Sequence, residues 1–352
     1  MKKELSIYLD LVRFMAAMVV FLGHASGQLT GAFLWQLNGY LSASVMVFFV
    51  LSGFVIAFVF DTKEKTITEY SIARISRLTS VVVPALILTV LCDYIGTSVK
   101  PALYFEGPWP APNNSLINYF LSALLVQNIW GLDLNPGINT PFWSLSFELM
   151  FYVLFATLVY FQGKIRVVLF VLFCLFSGPD ILAYFPIWLI GVAIYYLFKY
   201  QERWLMKFTK SSLIISLLAV VCFFIFVPTI AKALSYKPDF MIAERNLLAD
   251  YIFAIMFSAH LVFALPLLKY LSPILCKFQK TIVYLASLTF SLYLFHRPLI
   301  QVFATVFDEP SSFENRILVI GGTFLVVLIL GRYCENLKYP IKKVLQAKVA
   351  RL

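Results

Sequence analysis

The sequence predicts an all-α fold, a polytopic integral membrane helix bundle of about ten transmembrane helices. Three observations carry that prediction. Of 352 residues, 61% are hydrophobic and only 13% are charged, against ~25% charged in soluble domains. Apolar runs long enough to cross a bilayer recur from end to end. Basic residues sort to one side of those runs. Such a composition excludes a soluble enzyme, a disordered chain and a disulfide-rich secreted scaffold. The five cysteines, Cys92, Cys174, Cys222, Cys276 and Cys334, form no Cys-x-x-Cys pair and lie in or beside apolar runs. Neither disulfides nor metal ligation are expected of them.

The first run, 5–24, follows Met-Lys-Lys, but Asp10 and Arg13 interrupt it and many spans follow. An uncleaved first helix is therefore expected, not a signal peptide. Runs at 40–60 and 80–98 come next, separated by the polar, helix-compatible segment 62–79 on the inner face. The stretch 98–141 is rich in Pro, Asn, Gly and aromatics, including Trp109, Asn113, Asn114 and Trp130, and holds an ambiguous apolar run at 116–131. Further spans are expected at 142–162, 165–178, 181–198, 212–230, 247–268, 283–304 and 316–336. The run at 165–178 is short, but Lys164, Arg166 and the Gly178-Pro179 break delimit it. Residues 1–340 read as one membrane domain, and 341–352 as a short basic cytoplasmic tail suited to a membrane surface. No internal repeat is visible.

Charge decides the ambiguous run. With 116–131 kept as a re-entrant or interfacial segment and the amino terminus inside, twenty-one of the 28 Lys and Arg fall on inner segments. These are Lys2 and Lys3; Lys63, Lys65, Arg74 and Arg77; Lys164 and Arg166; Lys199, Arg203, Lys207 and Lys210; Lys269, Lys277 and Lys280; and six from Arg332 to Arg351. Outer segments hold Lys100, Lys232, Lys237, Arg245 and Arg316. Letting 116–131 cross would invert every later loop and erase the bias. Ten spans with both ends cytoplasmic satisfy the positive-inside rule. The net charge of +10 is then topology and implies no nucleic-acid partner.

Ionisable groups inside spans are costly and mark function by default. They are Asp10, Arg13, His24, Glu148, His260, His296 and Arg297. Arg13 and His24 are eleven residues apart, about three turns and about 16 Å along one helix face. His24, Glu148 and His296 belong to three spans and all fall in the outer half, where two imidazoles and a carboxylate would form an acid/base group. A second group lies inward: Asp10 and Arg13, Ser52 beside Gly53, and Arg74 with Arg77 at i, i+3. Paired guanidinium forks suit phosphate. Spacing alone leaves open whether Arg74 and Arg77 bind phosphate or serve as positive-inside anchors, and whether Asp10 and Arg13 form a purely structural pair. His260, alone in an apolar span, reads as a satisfied bundle histidine. Asp93 and Asp250, near span ends, are expected to be solvated, and Arg297 to snorkel outward beside a Pro298 kink.

Five ordered words resemble the bacterial membrane acyltransferase family 3. They are LDLVRFMAAMVVFLGH (Leu9 to His24), FFVLSGFVI (Phe48 to Ile56), Arg74-x-x-Arg77, FWSLSFE (Phe142 to Glu148) and SLYLFHRP (Ser291 to Pro298). One departure is that Leu78-Thr79-Ser80 follows the paired arginines and Pro84 comes later, so the helix start there is expected to differ. The late Glu-x-Pro pattern of the family is only loosely echoed by Glu335 and Pro340. No appended extracytoplasmic domain is expected after the tenth span.

The resemblance implies a multi-pass protein of the bacterial cytoplasmic membrane. It would move an acyl group, commonly acetyl, from acyl-CoA to a hydroxyl of an envelope glycan or lipid-linked sugar. Acetyl-CoA would be a co-substrate, with no bound cofactor or metal. His24 would act as general base or transient acyl carrier, and Glu148 would orient or recharge it. Arg74, Arg77, Arg13, Asp10 and Ser52 would receive the acyl-CoA. Trp143, Ser144, Ser291, Tyr293 and His296 would form the substrate pocket, and the aromatics of 98–141 are candidates for sugar stacking. The rival class is a transporter of a small anion, lipid or sugar, although no repeated halves are visible. A glycan-binding scaffold is a third reading.

Overall fold

In the computed structural model, which describes residues 2–233 and 246–350, every regular element is helical. One isolated bridge joins Asn113 to Gly137. Among the described residues, seven helical runs are long and apolar enough to cross a membrane: Lys3–Ala25, Trp35–Thr62, Ile67–Val99, Thr140–Tyr160, Pro179–Leu205, Leu247–Lys277 and Phe313–Val349. The protein is an all-α, multi-pass membrane bundle. Lys237, Arg245 and Arg351, used in the charge count, lie outside the described residues.

α1 (Lys3–Ala25) and α2 (Leu41–Thr62) match the expected spans closely. α3 (Ile67–Val99) does not: it is one continuous 33-residue helix that merges the polar segment with the following span. Its start is set by Thr66, whose hydroxyl accepts from the Glu69 amide while Glu69 reaches back to the Thr66 amide, a reciprocal capping box. No strong breaker follows until Pro84, which the helix accommodates in its interior.

After α4 (Pro101–Phe105), α5 (Leu116–Ala123) has eight residues, about 12 Å of helix, too little to span ~30 Å of hydrocarbon. α6 (Trp143–Tyr160) and α7 (Gly163–Ser177) follow; α7 has 15 residues. Then come α8 (Pro179–Leu205), α9 (Thr209–Ala233) and α10 (Leu247–Ala264), the last continuing through a 3-10 turn into α11 (Leu268–Lys277). The run expected at 283–304 is broken into α12 (Gln279–Ser287) and α13 (Thr289–Phe303). The last run begins as α14 (Phe313–Arg316). It alternates π turns with the short helices α15 (Thr323–Val326) and α16 (Arg332–Asn336), and ends on basic α17 (Lys338–Val349).

The chain divides into two compact units. The first comprises Met1–Val19, Gly39–Lys65 and Pro179–Ala286; the second comprises Val20–Asn38, Thr66–Gly178 and Ser287–Leu352. In the first, α2 and α8 approach closely through glycines. A side chain at Gly53 would collide with the Trp188 carbonyl, and one at Gly191 with Val50. Small residues at such crossings replace the hydrophobic driving force that lipid removes. Asp250 corrects an expectation. It is 2% exposed, not solvated, and accepts from the hydroxyls of Ser42 and Tyr184. His260 meets the Tyr8 hydroxyl through Nε2 and the Ser216 hydroxyl through Nδ1 at 3.0 Å, the satisfied histidine that was expected. In the second unit, α13, α16 and α17 pack on α3, and α6 packs on α7.

Candidate active site

The second unit carries most of the expected site residues on α3, α6 and α13, with His24 at the end of α1. His24 and His296 meet although 272 residues separate them, with His296 Nε2 lying 3.0 Å from His24 Nδ1. Their backbone contacts set the tautomers. His296 Nδ1 lies 3.0 Å from the Leu292 carbonyl. A carbonyl only accepts, so this nitrogen carries the proton and Nε2 of the neutral ring is an acceptor. His24 Nδ1 therefore faces two acceptors, His296 Nε2 and the Val20 carbonyl at 3.1 Å, and must be the protonated nitrogen. That leaves the lone pair on His24 Nε2, which has no hydrogen-bond partner among the described residues. His296 is fully buried and His24 half-buried. The arrangement presents a single oriented base.

Glu148 sits in a second group. It accepts from the Tyr152 hydroxyl, one turn along α6. Arg77 has Tyr152, Glu148 and Glu335 as electrostatic neighbours, and its side chain is exposed. Glu335 is buried and accepts from Ser291 Oγ at 3.4 Å. Arg74 is different from Arg77. It is buried, donates to the Tyr70 carbonyl at 3.3 Å, and stacks 4.0 Å from the Tyr70 ring and 5.8 Å from that of Tyr152. The i, i+3 pair thus presents one packed guanidinium and one open one.

From α6 and α13, Ser144 Oγ and Tyr293 OH are hydrogen-bonded at 2.9 Å, and Trp143 packs edge-on to Phe147. Near the histidines, Asp93 and Arg297 both depart from expectation. Asp93 is 1% exposed and accepts from the Ile138 amide at 3.0 Å. Arg297 is 4% exposed, under the Trp109 ring at 5.1 Å, and does not snorkel to the surface. Counting residues from a span end cannot reveal that residues of 98–141 fold over these positions. The remaining expected residues lie in the first unit. Arg13 pairs with Asp10 at 3.0 Å and donates to the Ala286 carbonyl at 3.1 Å, and Ser52 accepts from Trp188 Nε1 at 3.2 Å.

A family model described as an acyltransferase domain, that of acyltransferase 3, matches residues 6–332. The chain belongs to the acyltransferase 3 family. No curated protein and no solved structure matches it. As a family member it is a membrane acyltransferase, transferring groups other than aminoacyl groups, and the match spans every site residue above except Glu335. Sequence reasoning missed Tyr152, Glu335, Asp93 and the buried state of Arg297. For Tyr152 a signal existed: it stands at i+4 from Glu148, the spacing that makes two helical side chains neighbours.

Proposed function

We propose that this acyltransferase moves an acyl group, acetyl in the simplest case, from cytoplasmic acyl-CoA to a hydroxyl of an envelope glycan or lipid-linked sugar. The observation that carries the reading is the His24–His296 pair, because its tautomer logic leaves a lone pair on His24 Nε2, which has no hydrogen-bond partner among the described residues. In the transfer, Nε2 takes the acceptor hydroxyl's proton as the oxygen attacks the thioester carbonyl. The C–S bond then breaks, and the CoA thiolate leaves with the proton that His24 returns. His296 is the positioning residue for His24, a role the sequence reading gave to Glu148.

Arg77, open and flanked by Glu148 and Glu335, is assigned to the donor's phosphates, with Arg74 holding its helix face against the tyrosines. Ser144, Tyr293 and Ser291 supply hydroxyls along the second unit, and Trp143 shapes its wall. Asp10, Arg13 and Ser52 stay assigned to the donor on the resemblance alone. The charge bias supports placement in the bacterial cytoplasmic membrane with ten spans and both ends inside. Donor and acceptor are substrates, so no bound cofactor enters the scheme.

The test is transfer of labelled acetyl from acetyl-CoA to envelope glycan by the purified full chain, with His24→Ala alongside. Label on the glycan that vanishes in the variant is expected. Undiminished transfer at equal folded protein would overturn the assignment of His24.

A further inference from the structure

Arg297 is buried without a counter-charge in contact among the described residues. Among the described residues its guanidinium has no hydrogen-bond or ion-pair partner, only the face of Trp109 at 5.1 Å. With 4% of its surface exposed, this cation, held in a membrane protein without a counter-charge in contact, is costly. Asp93 is its acidic electrostatic neighbour, but Oδ2 of that carboxylate accepts from the Ile138 amide and Asp93 forms no ion pair with Arg297.

Side chains that contact or adjoin Arg297 or its stretch of α13 show the complementary deficit. Asp93 Oδ1, Asn139 Oδ1 and Gln301 Oε1 are buried acceptors without a donor, and Trp109 Nε1 is a buried donor without an acceptor. The amides are not free to turn and repair this. Asn139 Nδ2 is held by Thr89 Oγ1 at 3.0 Å and the Leu294 carbonyl at 2.9 Å, and Gln301 Nε2 by the Leu103 carbonyl at 2.8 Å. Asn139 and Gln301 are both 0% exposed. Buried polar groups are ordinarily satisfied; several unsatisfied ones on residues that contact or adjoin the Arg297 stretch of α13 mark a place where a ligand completes the set. The deficit specifies that ligand: an anionic group for the guanidinium fork, hydroxyl donors for three oxygens, and an aromatic face beside them. Arg297 is also an electrostatic neighbour of both His24 and His296.

We propose that Arg297, with Trp109, Asp93, Asn139 and Gln301, forms an acceptor subsite for a sugar bearing a carboxylate or phosphate. The anionic group binds the guanidinium, and ring hydroxyls donate to the carboxylate and amide oxygens. The proposal rests on the transferase reading of the histidine pair, and it makes the acceptor an anionic glycan rather than a neutral one.

The experiment measures thermal unfolding of the detergent-solubilised full chain against rising glucuronate, glucose 1-phosphate, glucose and inorganic phosphate. Saturable stabilisation by at least one anionic sugar is expected, with none from glucose and weaker stabilisation from phosphate alone. Arg297→Gln should weaken the sugar's affinity by about tenfold or more. Gln301→Leu, of similar size, should weaken glucuronate or glucose 1-phosphate and leave inorganic phosphate unchanged; it serves where Arg297→Gln does not fold. The proposal is overturned if neither anionic sugar binds, if glucose binds equally well, if phosphate alone matches the sugars, or if affinity survives both substitutions. Acetyl transfer measured on the same preparations separates the two readings. Transfer without anionic-sugar binding rejects the subsite alone, and binding without transfer rejects the function alone.

Discussion

The chain has three histidines, and the two units treat them in opposite ways. In the first, His260 has a hydroxyl at each ring nitrogen, from Tyr8 and from Ser216. In the second, the contacts of His24 converge on Nδ1, and Nε2 has no partner among the described residues. A similar contrast holds between two of the buried aspartates, although Asp180 of the first unit also keeps Oδ1 unmatched among the described residues. Asp250 accepts two hydroxyls, whereas Asp93 keeps Oδ1 unmatched. A membrane interior penalises every unmatched polar atom, so completeness of partners is the physical mark of a structural role. Incompleteness at a charged group marks a candidate for something else.

The largest test of that contrast substitutes one histidine from each unit. His24→Ala should lower acyl transfer by ~10²–10⁴-fold, the range of a positioned general base. His260→Gln should leave the rate per folded molecule unchanged and lower only the melting temperature. Equal losses of rate in the two variants would dissolve the distinction. Next in size is the split between the two arginines of α3. Arg77→Ala should raise the KM for acyl-CoA by ~10–100-fold with little change in kcat, because a charge-assisted contact to phosphate contributes about 1.5–3 kcal/mol. Arg74→Ala should instead destabilise the protein at unchanged KM, since its guanidinium is packed against Tyr70 and Tyr152. A KM rise in both would mean that the pair acts as one clamp.

A third substitution addresses the complete side of the contrast. Asp250→Ala leaves the hydroxyls of Ser42 and Tyr184 without their acceptor inside the first unit. The cost expected is about 1–3 kcal/mol of stability, read as a lowered melting temperature, with turnover of the folded fraction retained. Loss of turnover without loss of stability would give the aspartate a functional role and weaken the rule.

Much of this was legible in the sequence, and its failures have a common cause. Hydropathy located α1, α2, α6 and α8, because a bilayer imposes length and apolarity on each span directly. It misplaced the start of α3, because helix continuity depends on capping and the absence of breakers, and 62–79 is polar yet unbroken. The ordered motifs named His24 and His296, and their shared outer depth made the meeting plausible; only the fold shows which nitrogen each ring uses. Asp93, Asp250 and Arg297 were misjudged because burial at a span end is decided by what folds over it. For Asp93 and Arg297 this is done by Ile138 and Trp109, which come from a segment whose composition suggests a simple loop. Glu335 had only a loose echo of a motif, and its bond from Ser291 depends on contact across 44 positions.

The weakest effect expected is at Asp61, and it probes the contrast from its least demanding side. Asp61 accepts from Lys199 Nζ with both oxygens, at 2.8 and 2.7 Å, and from the Tyr195 hydroxyl at 2.6 Å. Its partners are complete, as they are for Asp250, but the ion pair retains water access, with 35% and 25% of the Lys199 and Asp61 side chains exposed. Solvent screens such a pair, and pairs of this kind contribute little to stability. Asp61→Asn keeps an acceptor for Tyr195 and removes only the charge, so the melting temperature should move less than for Asp250→Ala. The difference from the parent should shrink as salt is raised, and transfer should be unchanged. A larger shift than that of Asp250→Ala, or one indifferent to salt, would show that the charge at Asp61 matters beyond its visible partners. Completeness of hydrogen bonding would then no longer suffice to separate structural from functional groups in this chain.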